Sequence, residues 1–395
     1  MDKHNLNSLN PAKFTELIKN REIAIASAPF KMPDATGQAN DLYKQLHPNK
    51  QYLRVHSVIN HKNAKTFILK PSEEKGTKEC AYFSAGQYLS VFAEKDGKIY
   101  SRPYSIVSSP KESLAGTYMI TVKSVDGGLI SNTILKEWKT GTEVTVSDPT
   151  GNFTYEPLRD AHHIVGIAGG SGITPFVSLA KAVRDGDEDC SLTVIYAIRS
   201  EDDILFKNEL DALAENSDKI KVIYVLSHQH KEGFEQGFVT AELISKYAEG
   251  QYSVFICGPK QMVSFVDKEL EKLSLEKKYI RHEVHGEVAD PAYFAEYPSD
   301  VPENVRITVK VKDQITEIKA STKNTILRIL EQNSITPPSR CRSGECGFCR
   351  SRLISGRVFV PEKLDKRRQA DNKFGYLHPC CSYPLSDLVI EVTEA

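Results

Sequence analysis

The spacing of the cysteines constrains this chain more than any other feature. There are eight of them in 395 residues. Cys80, Cys190 and Cys257 are scattered, whereas Cys341, Cys346, Cys349, Cys380 and Cys381 crowd towards the C-terminus. The run Cys341-x4-Cys346-x2-Cys349, followed some thirty residues later by Cys380, brings four sulfur ligands within reach of one loop. The residues between them, Arg342-Ser343-Gly344-Glu345 and Gly347-Phe348, include glycines. A loop that wraps a metal centre and turns backbone N–H groups towards sulfur needs them. The N-terminus, Met1-Asp2-Lys3-His4-Asn5, leads into polar sequence without an apolar core, which argues against a signal peptide. No apolar run approaches the ~18 residues of a membrane span. The expected location is therefore the cytoplasm, where clustered thiols point to metal or cofactor ligation before disulfides.

The remaining sequence divides by texture. Residues 1–50 are polar, with a weak amphipathic stretch around Phe14, Leu17 and Ile18, and are expected to form a helical extension. Residues 51–156 show short alternating strands (Leu53–Ile59, Thr66–Lys70, Tyr88–Phe92, Tyr118–Val122, Val144–Val146) parted by turn signals such as Asp96-Gly97 and Asp126-Gly127. That pattern predicts an antiparallel barrel. In 157–286, apolar runs at 164–167, 192–196, 222–225 and 252–256 alternate with helical segments near 175–184, 203–215, 240–247 and 260–272. Continuous apolar strands between helices predict an α/β domain with a parallel sheet covered on both faces. The proline-bearing stretch 287–302 reads as a linker. An α+β unit, 303–395, follows with paired strands, a helix near 324–333, the cysteine loop and a closing strand, Leu388–Val392.

Net charge is −1, so no overall field recruits nucleic acid or an anionic membrane. The average conceals an asymmetry, because residues 303–395 carry sixteen Lys/Arg against eleven Asp/Glu and the rest of the chain is acidic.

Zinc sites usually come as two close cysteine pairs, which the single distant Cys380 fits poorly. The spacing matches the plant-type ligand set of a 2Fe–2S cluster. The C-terminal unit resembles plant-type ferredoxins of β-grasp fold, down to the closing segment Cys380-Cys381-Ser382-Tyr383-Pro384. In that family the fourth ligand lies four residues before the proline, so the resemblance implies Cys341, Cys346, Cys349 and Cys380 as ligands and leaves Cys381 as a neighbour.

Upstream, at the expected start of a strand, Arg102-Pro103-Tyr104-Ser105 resembles the R-x-Y-S flavin motif of the ferredoxin–NADP reductase superfamily. The residue types suit a flavin, with an arginine for phosphates, an aromatic ring for the isoalloxazine and a hydroxyl for its reactive edge. Ala85-Gly86-Gln87-Tyr88 precedes it, and Thr121-Val122-Lys123 and Gly127-Gly128-Leu129-Ile130-Ser131 follow, the last offering a helix start for a pyrophosphate. Asp148-Pro149-Thr150-Gly151-Asn152-Phe153 ends the barrel. Order and spacing are closest to the reductase modules of flavohaemoglobins and benzoate-dioxygenase-type reductases, which implies FAD over the FMN of phthalate-dioxygenase-type relatives.

The next domain carries Gly166-Ile167-Ala168-Gly169-Gly170-Ser171-Gly172-Ile173-Thr174-Pro175, which resembles the superfamily's G-x-G-x-x-P and departs from the Rossmann fingerprint at Pro175. The resemblance implies a nicotinamide site at Gly170, Ser171, Gly172, Thr174, Pro175, Arg199, Ser227 and Cys257-Gly258-Pro259. Ser105 and Cys257 would border the reacting atoms. Cys257 has no identifiable base partner, so its role is positional. NADP-specific relatives place an arginine where this chain has Ser227-His228-Gln229-His230, and Glu235 would repel a 2′-phosphate, so NADH is expected and NADPH stays possible. Where relatives have an aromatic E-x-F-G, this chain has Glu283-Val284-His285-Gly286. His285 either alters the flavin's surroundings or is a solvated linker residue.

The implied function is an NAD(P)H-dependent oxidoreductase passing electrons through FAD and a 2Fe–2S cluster to a redox protein such as an oxygenase or demethylase component. The alternative is an electron-entry or redox-sensing subunit of a larger complex. Arg340, Arg342, Arg350, Arg352 and Lys366-Arg367-Arg368 surround the cluster loop. They are read as a solvated face or as a docking face for an acidic partner or for the acidic body of the same chain.

Overall fold

The computed structural model describes residues 11–27, 42–43, 46–283, 286–288 and 290–392. The chain forms two compact units, 1–45 and 46–395. In the first, helix α1 (Pro11–Ser27) lies within the expected 1–50 extension, the rest of which is mostly outside the described residues, and exposes Leu17, Ile18 and Ile23.

The second unit opens with six antiparallel strands: β1 (Gln51–Asn60), β2 (Ala64–Pro71), β3 (Tyr88–Lys95), β4 (Lys98–Ser105), β5 (Tyr118–Lys123) and β6 (Glu143–Val146). They are ordered β4-β3-β6-β1-β2-β5. Alternation sends Leu53, Val55, Phe67, Leu69, Leu89 and Val91 into one core. A bridge between Ile106 and Ile120 brings the end of β4 against β5 and closes the barrel. Asp96 and Gly97 are both left-handed, as a two-residue hairpin requires, so β4 begins at Lys98. The Arg102–Ser105 motif therefore ends a strand, where a strand's start was expected. Two helices complete the domain, α2 (Pro110–Leu114) and α3 (Leu129–Glu137).

The middle domain is a parallel sheet ordered β10-β9-β8-β7-β11-β12. Its strands are β7 (His163–Gly169), β8 (Ser191–Ile198), β9 (Ile220–Leu226), β10 (Glu235–Gln236), β11 (Tyr252–Cys257) and β12 (Ile280–Glu283). Every residue of β7 is buried, because Ile164 and Ala168 enter one core and Val165 and Ile167 the other. Helices α4 (Thr174–Asp185) and α5 (Lys207–Glu215) cover the first face; α6 (Ala241–Tyr247) and α7 (Lys260–Leu270) cover the second. The continuous apolar runs follow from this two-sided burial.

The last domain has strands β13 (Asn304–Val311), β14 (Gln314–Ser321), β15 (Ser351–Ser355), β16 (Val358–Phe359), β17 (Tyr376–Leu377), β18 (Tyr383–Pro384) and β19 (Leu388–Val392). The main sheet, β14-β13-β19-β15-β17, is mixed, with β13 parallel to β19 and antiparallel to β14. Helix α8 (Ile326–Gln332) starts at Thr325, whose hydroxyl caps Arg328 N–H, and buries Ile326, Ile329 and Leu330. Helix α9 (Gln369–Lys373) precedes β17. Stretch 287–302 is strapped to this domain: Phe294 and Tyr297 pack on Phe359, and Tyr383 donates to Val288 O at 2.7 Å. No helix among the described residues is long and apolar enough to cross a membrane.

Candidate redox-cofactor sites

All three domains contribute to one cleft of about 810 Å³, within the range of cofactor sites. The barrel supplies Arg102, Pro103, Tyr104 and Ser105 from β4, Thr121 and Lys123 from β5, and Gly128, Leu129, Ile130 and Ser131 from the start of α3. A Cβ on Gly128 would lie 2.5 Å from Ser131 Oγ, so only glycine leaves the helix N-terminus open to a ligand. Free N–H groups there, beside the Arg102 guanidinium, suit a diphosphate. Burial and the neighbouring Arg342 lower the Arg102 pKa, while Glu331 and Glu287 raise it.

The middle domain supplies Gly170, Ser171, Gly172, Thr174, Cys257, Gly258 and Pro259. A Cβ on Gly172 would lie 2.2 Å from Cys257 O, so the glycine loop and the end of β11 touch backbone to backbone. Val122 and Pro175, expected at the site, are buried off the cleft wall, Val122 in the barrel core and Pro175 in the first turn of α4. Arg199 and Ser227 also lie off that wall, at the carboxyl ends of β8 and β9, where Ser227 N–H donates to Ile198 O and His228 N–H to Arg199 O. Neither lines the cleft. Val284 and His285 lie outside the described residues, so the reading of His285 finds no counterpart here.

Among the cleft residues given no role from the sequence are Glu283, Glu287, Arg328 and Glu331. Glu283, the last residue of β12, accepts a 2.9 Å hydrogen bond from Ser105 Oγ and a 3.8 Å contact from Cys257 Sγ on the same oxygen. Its signal was the Glu of Glu283-Val284-His285-Gly286. Burial, then the Glu283 charge, push the Cys257 thiol well up. It stays protonated, in agreement with a positional role.

In the last domain the four motif cysteines converge. Cys349 Sγ and Cys380 Sγ are 3.5 Å apart, and Cys341 Sγ accepts from Ser343 and Cys346 N–H, each at 3.4 Å. Hydrogen bonds from the Cys346 and Cys380 side chains, and further from the Cys346 amide, hold the Cys341 thiol far below its ordinary range. Arg342, Gly344 and Gly347 all have left-handed backbone, which curls the loop around the sulfurs. A Cβ on Gly344 would lie 2.5 Å from Leu364 O. Inward amides, converging sulfurs and a curled loop fit an iron–sulfur cluster held by Cys341, Cys346, Cys349 and Cys380. Cys381 Sγ instead contacts His378 O at 3.5 Å.

The cluster loop is docked on the barrel. Arg340 reaches Asp148 and, at 2.6 Å, Thr150 Oγ1, and stacks on Phe348 with its guanidinium 4.0 Å from the ring centre. Ser339 and Ser101 share a 2.6 Å hydrogen bond. Arg342, 1% exposed, pairs with Glu331 and Glu287. Arg340 thus faces the acidic body of the same chain, whereas Arg342 pairs with Glu331 of its own domain and Glu287 of the stretch before it. Further out, Arg350 and Arg368 pair with Asp371, and Arg367 pairs with Asp365. Arg352 and Lys366 remain exposed.

Comparison with known proteins assigns all three domains. Residues 61–155 match the oxidoreductase FAD-binding domain, 167–268 the oxidoreductase NAD-binding domain, and 309–385 the 2Fe-2S iron-sulfur cluster binding domain. The ferredoxin reductase component of a 3-ketosteroid-9-alpha-monooxygenase from Mycobacterium tuberculosis is 30% identical over 319 residues, covering 79% of this chain and 85% of that protein. The glycine betaine monooxygenase reductase subunit of Pseudomonas aeruginosa is 27% identical over 328 residues, covering 78% and 87%. The solved structure of a phthalate dioxygenase reductase superposes with a TM-score of 0.62 at 24% identity, over 87% of this chain and 98% of that one. Fold and site together define an NAD(P)H oxidoreductase that carries FAD and a 2Fe–2S cluster. The chain belongs to the family of iron–sulfur flavoprotein reductases built from ferredoxin–NADP-reductase-like FAD and NAD domains and a plant-type ferredoxin domain.

Proposed function

We propose that this chain is the reductase component of a multicomponent oxygenase, drawing electrons from NADH and delivering them to the oxygenase's own redox centre. The observation that carries the reading is a continuous protein path between the two cofactor sites. Ser105 pairs with Tyr88 across β3 and β4, Tyr88 exchanges backbone hydrogen bonds with Thr150, and Thr150 is held by Arg340, which precedes Cys341. A ferredoxin domain so fixed is poised to receive electrons from the flavin cleft of its own chain. Relatives named as monooxygenase reductase components support the choice of acceptor.

When bound, the flavin takes two electrons from the nicotinamide and the cluster passes them on singly, and the protein positions both. Arg102 and the start of α3 hold phosphates, and Ser105, oriented by Glu283, presents a hydroxyl at the cleft floor. The closed contact between Gly172 and Cys257 leaves no room for water at that end of the cleft, where these residues would hold the nicotinamide. Coenzyme choice turns on Glu235, whose carboxylate bonds Lys246 and Tyr247 and is held below its usual range by them. An ionised Glu235 favours a ribose diol over a 2′-phosphate, so NADH is the expected donor. With Arg340 and Arg342 committed internally, the acidic-partner reading rests on the exposed Arg352 and Lys366.

The test is reconstitution: purified chain, NADH and a cognate oxygenase, with electron delivery followed on the oxygenase's own chromophore. Delivery that needs the native cluster supports the proposal. NADH oxidation with ferricyanide but no transfer to any oxygenase from the same organism would replace it with the electron-entry reading, which the exposed Leu17, Ile18 and Ile23 of α1 would then serve. A rate unchanged between low and high salt would discard the charged docking face.

A further inference from the structure

The cleft is walled on one side by the ferredoxin domain, through Arg328, Glu331 and Gln332 of α8 and Arg342 of the cluster loop. Glu331 is 1% exposed. A carboxylate so buried has to be neutralised, and two arginines are within reach. Arg342 holds it in bidentate fashion, Nη1–Oε1 at 2.6 Å and Nη2–Oε2 at 2.8 Å. Arg102 stands 3.7 Å away, beyond hydrogen-bond distance, with its Nη1 resting on Ser101 O at 2.6 Å.

We propose that Arg342 is a positioning residue for the flavin: by occupying Glu331 it leaves Arg102 free for the flavin's phosphates. The inference rests on the reading that Arg102 meets those phosphates. Without Arg342, the cation among the described residues that still pairs with Glu331 is Arg102, and a shift of about 1 Å brings it into hydrogen-bond distance. A phosphate then has to displace a carboxylate and face its unpaired charge. Left-handed backbone at Arg342 aims the side chain out of the cluster loop and across the domain boundary, where it also reaches Ser101 Oγ at 3.3 Å. The same residue that shapes the cluster loop therefore prepares the flavin site.

The test uses the full-length chain stripped of flavin and titrated with FAD, followed by flavin fluorescence, with iron per chain and cluster absorption as controls. Arg342→Met is expected to weaken FAD binding by about ten- to hundredfold, the range of one charge-assisted hydrogen bond. The double variant Glu331→Met/Arg342→Met is expected to recover most of the loss, because no carboxylate remains to capture Arg102. A purely structural role for Arg342 would give no such rescue, and a double variant as weak as Arg342→Met overturns the proposal. So does wild-type affinity in Arg342→Met when Arg102→Ala binds weakly. Wild-type affinity in Arg102→Ala overturns the phosphate reading itself and this proposal with it. Should Arg342→Met fail to assemble its cluster, Glu331→Met alone decides. Affinity equal to or above wild type supports the proposal, and a loss matching that of Arg102→Ala overturns it.

Discussion

Gly172→Ala isolates the coenzyme site from the other two. Gly172 has no left-handed backbone angle, so alanine meets no conformational objection and its effect is steric. The new methyl would sit 2.2 Å from Cys257 O, 2.5 Å from Cys257 C and 2.9 Å from Gly258 Cα. Relief needs a separation of roughly 1 Å between two main-chain segments. Those segments leave neighbouring strands of one ladder, with Ile256 opposite Ile167 and Cys257 opposite Ala168, so the separation strains the sheet at the proposed nicotinamide site. Overpacking of this kind costs about 1–3 kcal/mol. Taken wholly from coenzyme binding, that is an increase of about 5- to 150-fold in the NADH dissociation constant. The assay is KM for NADH with ferricyanide, alongside the flavin and cluster absorption per chain, which belong to other domains and are expected to stay at wild-type levels. An unchanged KM, or loss of the cluster in place of the NADH response, would refute the reasoning.

Three further outcomes are expected. Cys380→Ser abolishes cluster absorption while Cys381→Ser keeps it; the reverse pattern would exchange the fourth ligand. Glu188 is pushed up to about 7 from its ordinary 4.5, by burial first and then by Asp187 and Glu156. The folded chain thus holds this proton more tightly than the unfolded one, so stability falls as pH rises between those values. Glu188→Gln should accordingly raise Tm at pH 8 and change it little at pH 5, and an equal shift at both would remove the argument. Glu235→Gln is expected to raise kcat/KM for NADPH several-fold and leave that for NADH nearly unchanged; steady-state kinetics with both coenzymes decide this.

Most of the fold and much of the site were legible beforehand for a local reason. A strand that alternates, a glycine loop that admits a cofactor and four thiols that share a metal each impose residue types at short spacings. The β1, β7 and α8 segments and the cysteine loop therefore stand where the periodicity and motifs put them. β4 starts four residues before the flavin motif because the left-handed Asp96-Gly97 turn reverses the chain there. Val122 shares its motif with two cleft residues yet faces away, since consecutive residues of a strand point to opposite sides. Pro175 serves the first turn of α4 and is buried there.

Local spacing points to the kind of centre each segment suits: thiolates for a cluster, a helix start for a diphosphate, glycines for a nicotinamide. Which charges meet was settled by the packing of the domains. The basic surplus of the C-terminal domain read as a face for some partner or for the chain's own acidic body, whereas Arg340 turns inward onto Asp148 of the barrel and Arg342 onto Glu287 of the preceding stretch and Glu331 of its own domain. Ser105 and Glu283 likewise meet across two domains. Composition counts charge, but pairing depends on distance, and the distances are set by how three separately coded domains close on one another.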